Sequence, residues 1–228
     1  RLVRANTARC APGLRPFGVS LNSNTLGVMN PLLVTLTAAL LASACAVRTN
    51  QYYLPTDSRL AQEGTVCGSV PFGHANIPLG DTLRAFVSAS PSAQNISLTI
   101  QLPLPLGARV RFVKPELSIE PPGTGRVHTG QLEPFRVSVY GEGSRPGHHD
   151  LTSPSSLLEG KGRNLRLATA DTQYLKSDLY ISRAVIAAEP SESVTLIFPA
   201  VEVNGAVIEA QRIPLRLVTK SGVLACVQ

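Results

Sequence analysis

Val201-Glu202-Val203-Asn204-Gly205-Ala206-Val207-Ile208 is the stretch on which the fold class turns. Asn-Gly between two β-branched runs is the strongest short-range hairpin signal. A type I′ turn needs positive φ at both central residues, and Asn and Gly adopt it most readily. The same grammar extends in both directions. Ile96, Leu98, Ile100 and Leu102 alternate with Ser97, Thr99 and Gln101, which is the period of a strand with one wet face. Phe135, Val137 and Val139 alternate with Arg136, Ser138 and Tyr140. Ile213, Leu215 and Leu217 alternate with Pro214 and Arg216. Compact apolar runs at Leu83–Ala89, Val110–Val113, Leu117–Ile119, Leu179–Ala188, Val194–Phe198 and Val223–Val227 complete the series. About ten strands with regular turn signals predict an all-β fold, an antiparallel β-sandwich with little helix. Single helical turns are expected only at Ser155–Glu159 and Asp171–Ser177, and Gly141–Asn164 reads as one long loop. Prolines within several runs point to edge strands or bulges, and argue for a sandwich over a closed barrel.

The chain has 228 residues, 43% of them hydrophobic and 16% charged, enough apolar material for a packed core. Eighteen Pro and eighteen Gly suit strands joined by turns. The net charge of +6 is unevenly spread. Residues 1–45 carry Arg1, Arg4, Arg9 and Arg15 and no acid, so residues 46–228 hold 17 of the 21 basic side chains against 15 acidic ones, a net of +2. No basic face is indicated, and nucleic acid is not an expected partner.

The leader is distinctive. Met29, the only methionine, precedes Asn30-Pro31 and an apolar run from Leu32 to Ala44. A membrane-spanning helix needs about 20 apolar residues, whereas the hydrophobic region of a signal peptide needs about 7–15. The run closes on Leu41-Ala42-Ser43-Ala44-Cys45. Small residues followed by Cys resemble the lipobox of the bacterial lipoprotein signal-peptide class. That resemblance implies a diacylglyceryl group on the Cys45 sulfur and cleavage that makes Cys45 the new N-terminus. Ala rather than Asp at position 46 implies, by the same resemblance, the outer membrane of a Gram-negative envelope, facing the periplasm or the surface. Ala42-Ser43-Ala44 is also an A-x-A site for ordinary signal peptidase, which would leave an unlipidated secreted or periplasmic β-domain. The expected organisation is therefore an unstructured upstream segment (1–28), a signal peptide (29–44), a tether (45–64) and a single β-sandwich domain (65–228).

Among side chains that could carry chemistry, Gly147-His148-His149-Asp150 stands out. His148, His149 and Asp150 are legitimate zinc or copper ligands. Adjacent side chains on an extended chain diverge, so a site would need a third ligand such as His74 or His128. Without it the segment is a solvated loop tip. The carboxylates Glu116, Glu120, Glu133 and Glu142 have the chemistry for glycoside hydrolysis but read as wet-face residues. There is no H-E-x-x-H, phosphate loop, G-x-G-x-x-G or G-x-S-x-G motif. The expectation is a binding or structural protein without cofactor. It would be held to a membrane by a lipid anchor and would serve an envelope protein partner. A periplasmic metal-dependent hydrolase built on residues 147–150 is the alternative.

The cysteines are Cys10, Cys45, Cys67 and Cys226. Cleavage removes Cys10 and lipidation occupies Cys45, which leaves Cys67 and Cys226 as an even pair for an oxidising compartment. A bridge between them would close nearly the whole domain, worth on the order of 4–5 kcal/mol by loop entropy. The expected outcome is that unfolded, unreduced mature protein exposes no titratable thiol at Cys67 or Cys226, and that reduction exposes both. Two reactive thiols before reduction would exclude the bridge.

Overall fold

The computed structural model describes residues 47–66, 70–138, 151–162 and 177–223. These are all-β, and no helix occurs among them. In chain order the strands begin with β1 (Val47–Pro55), β2 (Ala61–Val66), β3 (Val70–Leu79), β4 (Leu83–Pro91) and β5 (Ile96–Pro105). Then follow β6 (Arg109–Phe112), β7 (Glu116–Glu120), β8 (His128–Gln131), β9 (Phe135–Ser138), β10 (Leu151–Thr152) and β11 (Leu158–Glu159). The last are β12 (Ser177–Ile186), β13 (Ser193–Phe198), β14 (Val201–Val203), β15 (Ala206–Ile208) and β16 (Gln211–Val223). The described residues fall into two compact units. One comprises 51–63 and 73–219; the other holds 47–50, 64–66, 70–72 and 220–223.

Most strands belong to one large, curled antiparallel sheet, in the order β10-β9-β12-β5-β4-β1-β16-β13-β7-β8. β3 adds to β4, and β2 adds to β3. A second sheet, β11-β6-β14-β15, makes the arrangement sandwich-like. The longest ladder joins β12 to β5 without a break from Ser177↔Pro105 to Ile186↔Ile96. Alternation sets the faces: Ile96, Leu98, Ile100, Leu102 and Leu104 are fully buried, while their odd-numbered neighbours are half-buried. The small sheet buries Val110, Phe112, Leu158, Val201 and Val203. There Phe112 stacks on Phe135 with centroids 5.5 Å apart and touches Phe198 at 6.1 Å, and Phe135 meets Tyr180 edge-on at 6.4 Å. Such pairs add roughly 0.5–1.5 kcal/mol each beyond the burial of their area. The hairpin at Asn204-Gly205 forms as its sequence dictates, with φ of 51° and 90°.

The curl brings β8 against the flank of β12 that β5 leaves open. β9 occupies part of that flank, with Leu179↔Ser138 through Ile181↔Arg136. Further along, the Glu133 N–H donates to the Arg183 carbonyl and the Ser182 hydroxyl donates to the Glu133 carbonyl. At Gly130 the backbones come so close that a Cβ would lie 2.7 Å from the Val185 carbonyl oxygen. The prolines fit the sheet by position. β5 is an interior strand, yet Pro103 and Pro105 lie past the end of its ladder with β4, which stops at Phe86↔Gln101. They are thus at a local edge, where a missing N–H leaves no gap.

Four expectations are corrected. The stretch 45–64 is not a tether from Val47 onward, because β1 and β2 are sheet strands. The reason is Tyr52-Tyr53-Leu54, all buried. Tyr53 enters the core and donates its hydroxyl to the Ser191 carbonyl at 2.8 Å. Tyr52 and Leu54 pack on the opposite face over Gly73, where any Cβ would strike both side chains. The helical turn expected at Ser155–Glu159 is instead a turn leading into β11, since Leu158 pairs with Val110 and is buried. The long loop expected over 141–164 therefore contains β10 and β11. The count rises from about ten strands to sixteen among the described residues, because short strands of two to four residues carry too little alternation to register. Of the turn expected at Asp171–Ser177, only Ser177 is described, and it opens β12. Residues 224–227 lie outside the described residues.

Gly160 is the tightest point of the small sheet. Its N–H donates to Ala108 O at 2.9 Å and its carbonyl accepts from Gly107 N at 2.8 Å. A methyl group there would collide with the Pro105 carbonyl and lie 2.7 Å from that of Leu104. Both obstacles are backbone, so neither can swing aside. Gly160→Ala is expected to destabilise the fold by about 3 kcal/mol. Gly123→Ala meets open space and carries only the strain of a positive φ, about 1 kcal/mol. Urea unfolding of the two variants, read as a difference, checks the ordering.

Candidate functional site on the small sheet

The inner face of the small sheet is core, and alternation turns its other residues outward. Arg109 and Arg111 of β6 face out, with Glu159 of β11 opposite Arg109 and Glu202 of β14 opposite Arg111. Arg109 pairs with Glu159 at 3.1 Å, and Arg111 pairs with Glu202. Val207 sits across from Glu202 and is 61% exposed, and Leu157 on the other flank is 50% exposed. The outer face is thus two cross-strand ion pairs flanked by apolar side chains. A cleft of about 500 Å³ lies here, lined by Gly107, Arg109, Leu157, Glu202, Asn204 and Gly205. The Asn204 carboxamide oxygen accepts the Arg109 backbone N–H at 2.9 Å, which ties the hairpin tip to β6 and shapes the rim. Exposed pairs of this kind contribute little stability, about 0–1 kcal/mol each. Their effect is to present alternating charge in fixed positions, a surface suited to polar recognition beside apolar contacts.

What holds this sheet in place is β12. Its inward polar side chains reach the backbone around β11. The Tyr180 hydroxyl donates to Glu159 O at 2.7 Å, and the fully buried Asp178 carboxylate accepts the Lys161 N–H at 3.0 Å. Each buried polar group so placed substitutes for water it has lost.

The two histidines considered as extra ligands occupy structural positions. His128 is half-buried, with Nδ1 3.0 Å from the Ala187 carbonyl. It lines a separate cleft of about 440 Å³ with Pro122, Arg126, Glu189 and Pro190. His74 contacts Gln62 Oε1 at 3.1 Å and meets the Phe86 ring edge-on at 5.2 Å. Burial lowers its pKa below the ordinary 6.5. Nearby, burial and then the carboxylate of Glu63, which accepts its hydroxyl at 2.7 Å, push Tyr52 up to about 12. Glu116 and Glu120 have structural partners: Glu116 accepts from Gln131 at 3.2 Å, and Glu120 pairs with Arg212. His148, His149 and Asp150, like Cys45, Cys67, Cys226 and Glu142, lie outside the described residues. Among the described residues no three His, Cys, Asp or Glu side chains converge as a metal site would need, and no helix is long and apolar enough to cross a membrane. The outer face of the small sheet was not singled out from sequence. The alternating Arg109-x-Arg111 was its one available signal, but the partner carboxylates are 50 and 91 residues away.

No protein-family model, no curated protein and no solved structure matches the chain.

The His74 environment has a pH consequence. The fold favours the neutral ring, while the unfolded chain takes up the proton near 6.5. The contribution of His74 is therefore fully present above 6.5 and is lost as pH falls below that value toward the lower folded pKa. Stability is expected to fall between about pH 7 and about pH 5, and His74→Gln to flatten that slope. Urea midpoints across this range, compared between parent and variant, test it. Parallel slopes would exclude His74 as the source.

Proposed function

We propose that this chain is an exported envelope lipoprotein, anchored through Cys45, with a binding or accessory role toward another envelope component. The observation that carries the reading is the sequence up to Cys45. The apolar run 32–44 has the length of a signal-peptide hydrophobic region, is too short to span a membrane, and closes on Ala42-Ser43-Ala44-Cys45, where two cleavage codes overlap. The pairing of Cys67 with Cys226 belongs to the same reading, because it is the pairing an oxidising compartment favours.

In this reading the outer face of the small sheet is the surface on offer to a partner. It combines charged pairs with the exposed apolar side chains of Leu157 and Val207. The role is recognition or support, and the membrane supplies local concentration.

Expression of the full chain in a Gram-negative host tests the anchor. Intact mass of membrane-extracted protein is expected to show a diacylglyceryl adduct on a chain starting at Cys45. Cys45→Ser is expected to abolish the adduct and move the protein out of the detergent-extracted membrane fraction. A mature chain starting at Cys45 without lipid would instead establish the secreted form.

A further inference from the structure

We infer that the lipidated chain has no spacer, and that the strand ends at residues 47–50 and 220–223 rest on the phospholipid headgroups. The inference rests on the anchoring reading above and goes further, because it states what surface the folded chain touches. Lipoprotein anchoring alone would be equally compatible with a domain held well clear of the bilayer. The sequence by itself suggests such a spacer over 45–64, and a flexible segment of that length would reach roughly 25 Å on average.

The strands remove it. Val47 is two residues from Cys45 and already lies in β1. Two extended residues span at most about 7 Å. The headgroup layer on each side of a bilayer is itself about 5–8 Å thick. With acyl chains on Cys45 in the hydrocarbon, the start of β1 cannot leave that layer by more than a few ångströms. β1 is not free to peel away and lengthen the link, because β16 lies beside it. The Thr49 and Ser221 hydroxyls are 2.9 Å apart, and Gln51 Nε2 donates to Thr219 Oγ1 at 3.3 Å. Asn50 Nδ2 also donates to the Pro71 carbonyl at 2.9 Å, which holds the third strand of this end.

The side chains at these strand ends suit a headgroup layer. Thr49 and Ser221 offer hydroxyls, and Arg48 and Lys220 are exposed cations. The register set by Thr49–Ser221 puts Arg48 and Lys220 on one face of the β1–β16 pair. Cations next to an anionic leaflet gain about fivefold in partition each, and their long stems can lie along the interface.

The chain contains no Trp, so a single introduced indole reports position cleanly. Ser221→Trp is made in the full chain, matured in the host, purified in lipidated form and reconstituted. The vesicles contain phosphatidylethanolamine and phosphatidylglycerol with a trace of headgroup-dansylated lipid. A second protein carries the same substitution plus about 20 Gly/Ser residues inserted between Ala46 and Val47. Energy transfer from indole to dansyl is expected to be strong in the first and to fall severalfold in the second. Equal transfer in the two, with the lipid adduct present by mass, overturns the seating and leaves the anchor intact. Absence of the adduct overturns the anchor and the seating together. Thr49→Trp, on the neighbouring strand, gives the same readout if Ser221→Trp fails to fold.

Discussion

The structure depends on β12. It is the strand with the longest ladder, and it is engaged along both edges and one face. β5 pairs with it from end to end. Its other flank takes β9, then the bend at Leu132–Pro134, then β8. Its inward side chains bond the backbone of two passing segments, Asp178 and Tyr180 around β11 and Ser182 at Glu133. Burying these polar groups without partners would cost about 1–3 kcal/mol apiece. Here they fasten the small sheet and close the large one. No buried side-chain polar atom among the described residues lacks a partner.

The parts of the fold legible in the sequence are those whose information is local. Ile96–Leu102 declares itself because four inward residues recur at a strict period of two, and the structure extends the same face to Leu104. Asn204-Gly205 declares itself because few residue pairs accept positive φ twice in a row. What stayed hidden depends on distant partners. Residues 47–63 look polar and spacer-like in composition. Their place in the sheet comes from Tyr53 finding Ala89 and Ser191, and from Gly73 leaving room for Tyr52 and Leu54. β11 is two residues long, so no periodicity could announce it. Gly130 and Gly160 look like ordinary turn glycines, yet each is required by a backbone passing at van der Waals distance.

The same division holds for the candidate site. The expectation at Cys45 rests on a contiguous string, Leu41-Ala42-Ser43-Ala44-Cys45, which needs no partner elsewhere in the chain to be read. The outer face of the small sheet was not readable, because Arg109, Arg111, Glu159 and Glu202 become one surface only after three strands assemble. Recognition surfaces on β-proteins are generally of this second kind, composed across a sheet and not along a strand.

The curl has a consequence for the chain as a polymer. A sheet edge is a template for the next copy, and long open edges invite chains to stack into fibrils. One end of the large sheet's path is β8, of four residues, which leans on β12. The small sheet ends in β11 and β15, of two and three residues. The longer β2 carries Gln62, Glu63 and Gly64 along its length, a polar and poorly β-forming edge. Among the described residues the sheet edges are short or polar, so an encounter between two copies finds little unpaired backbone to extend.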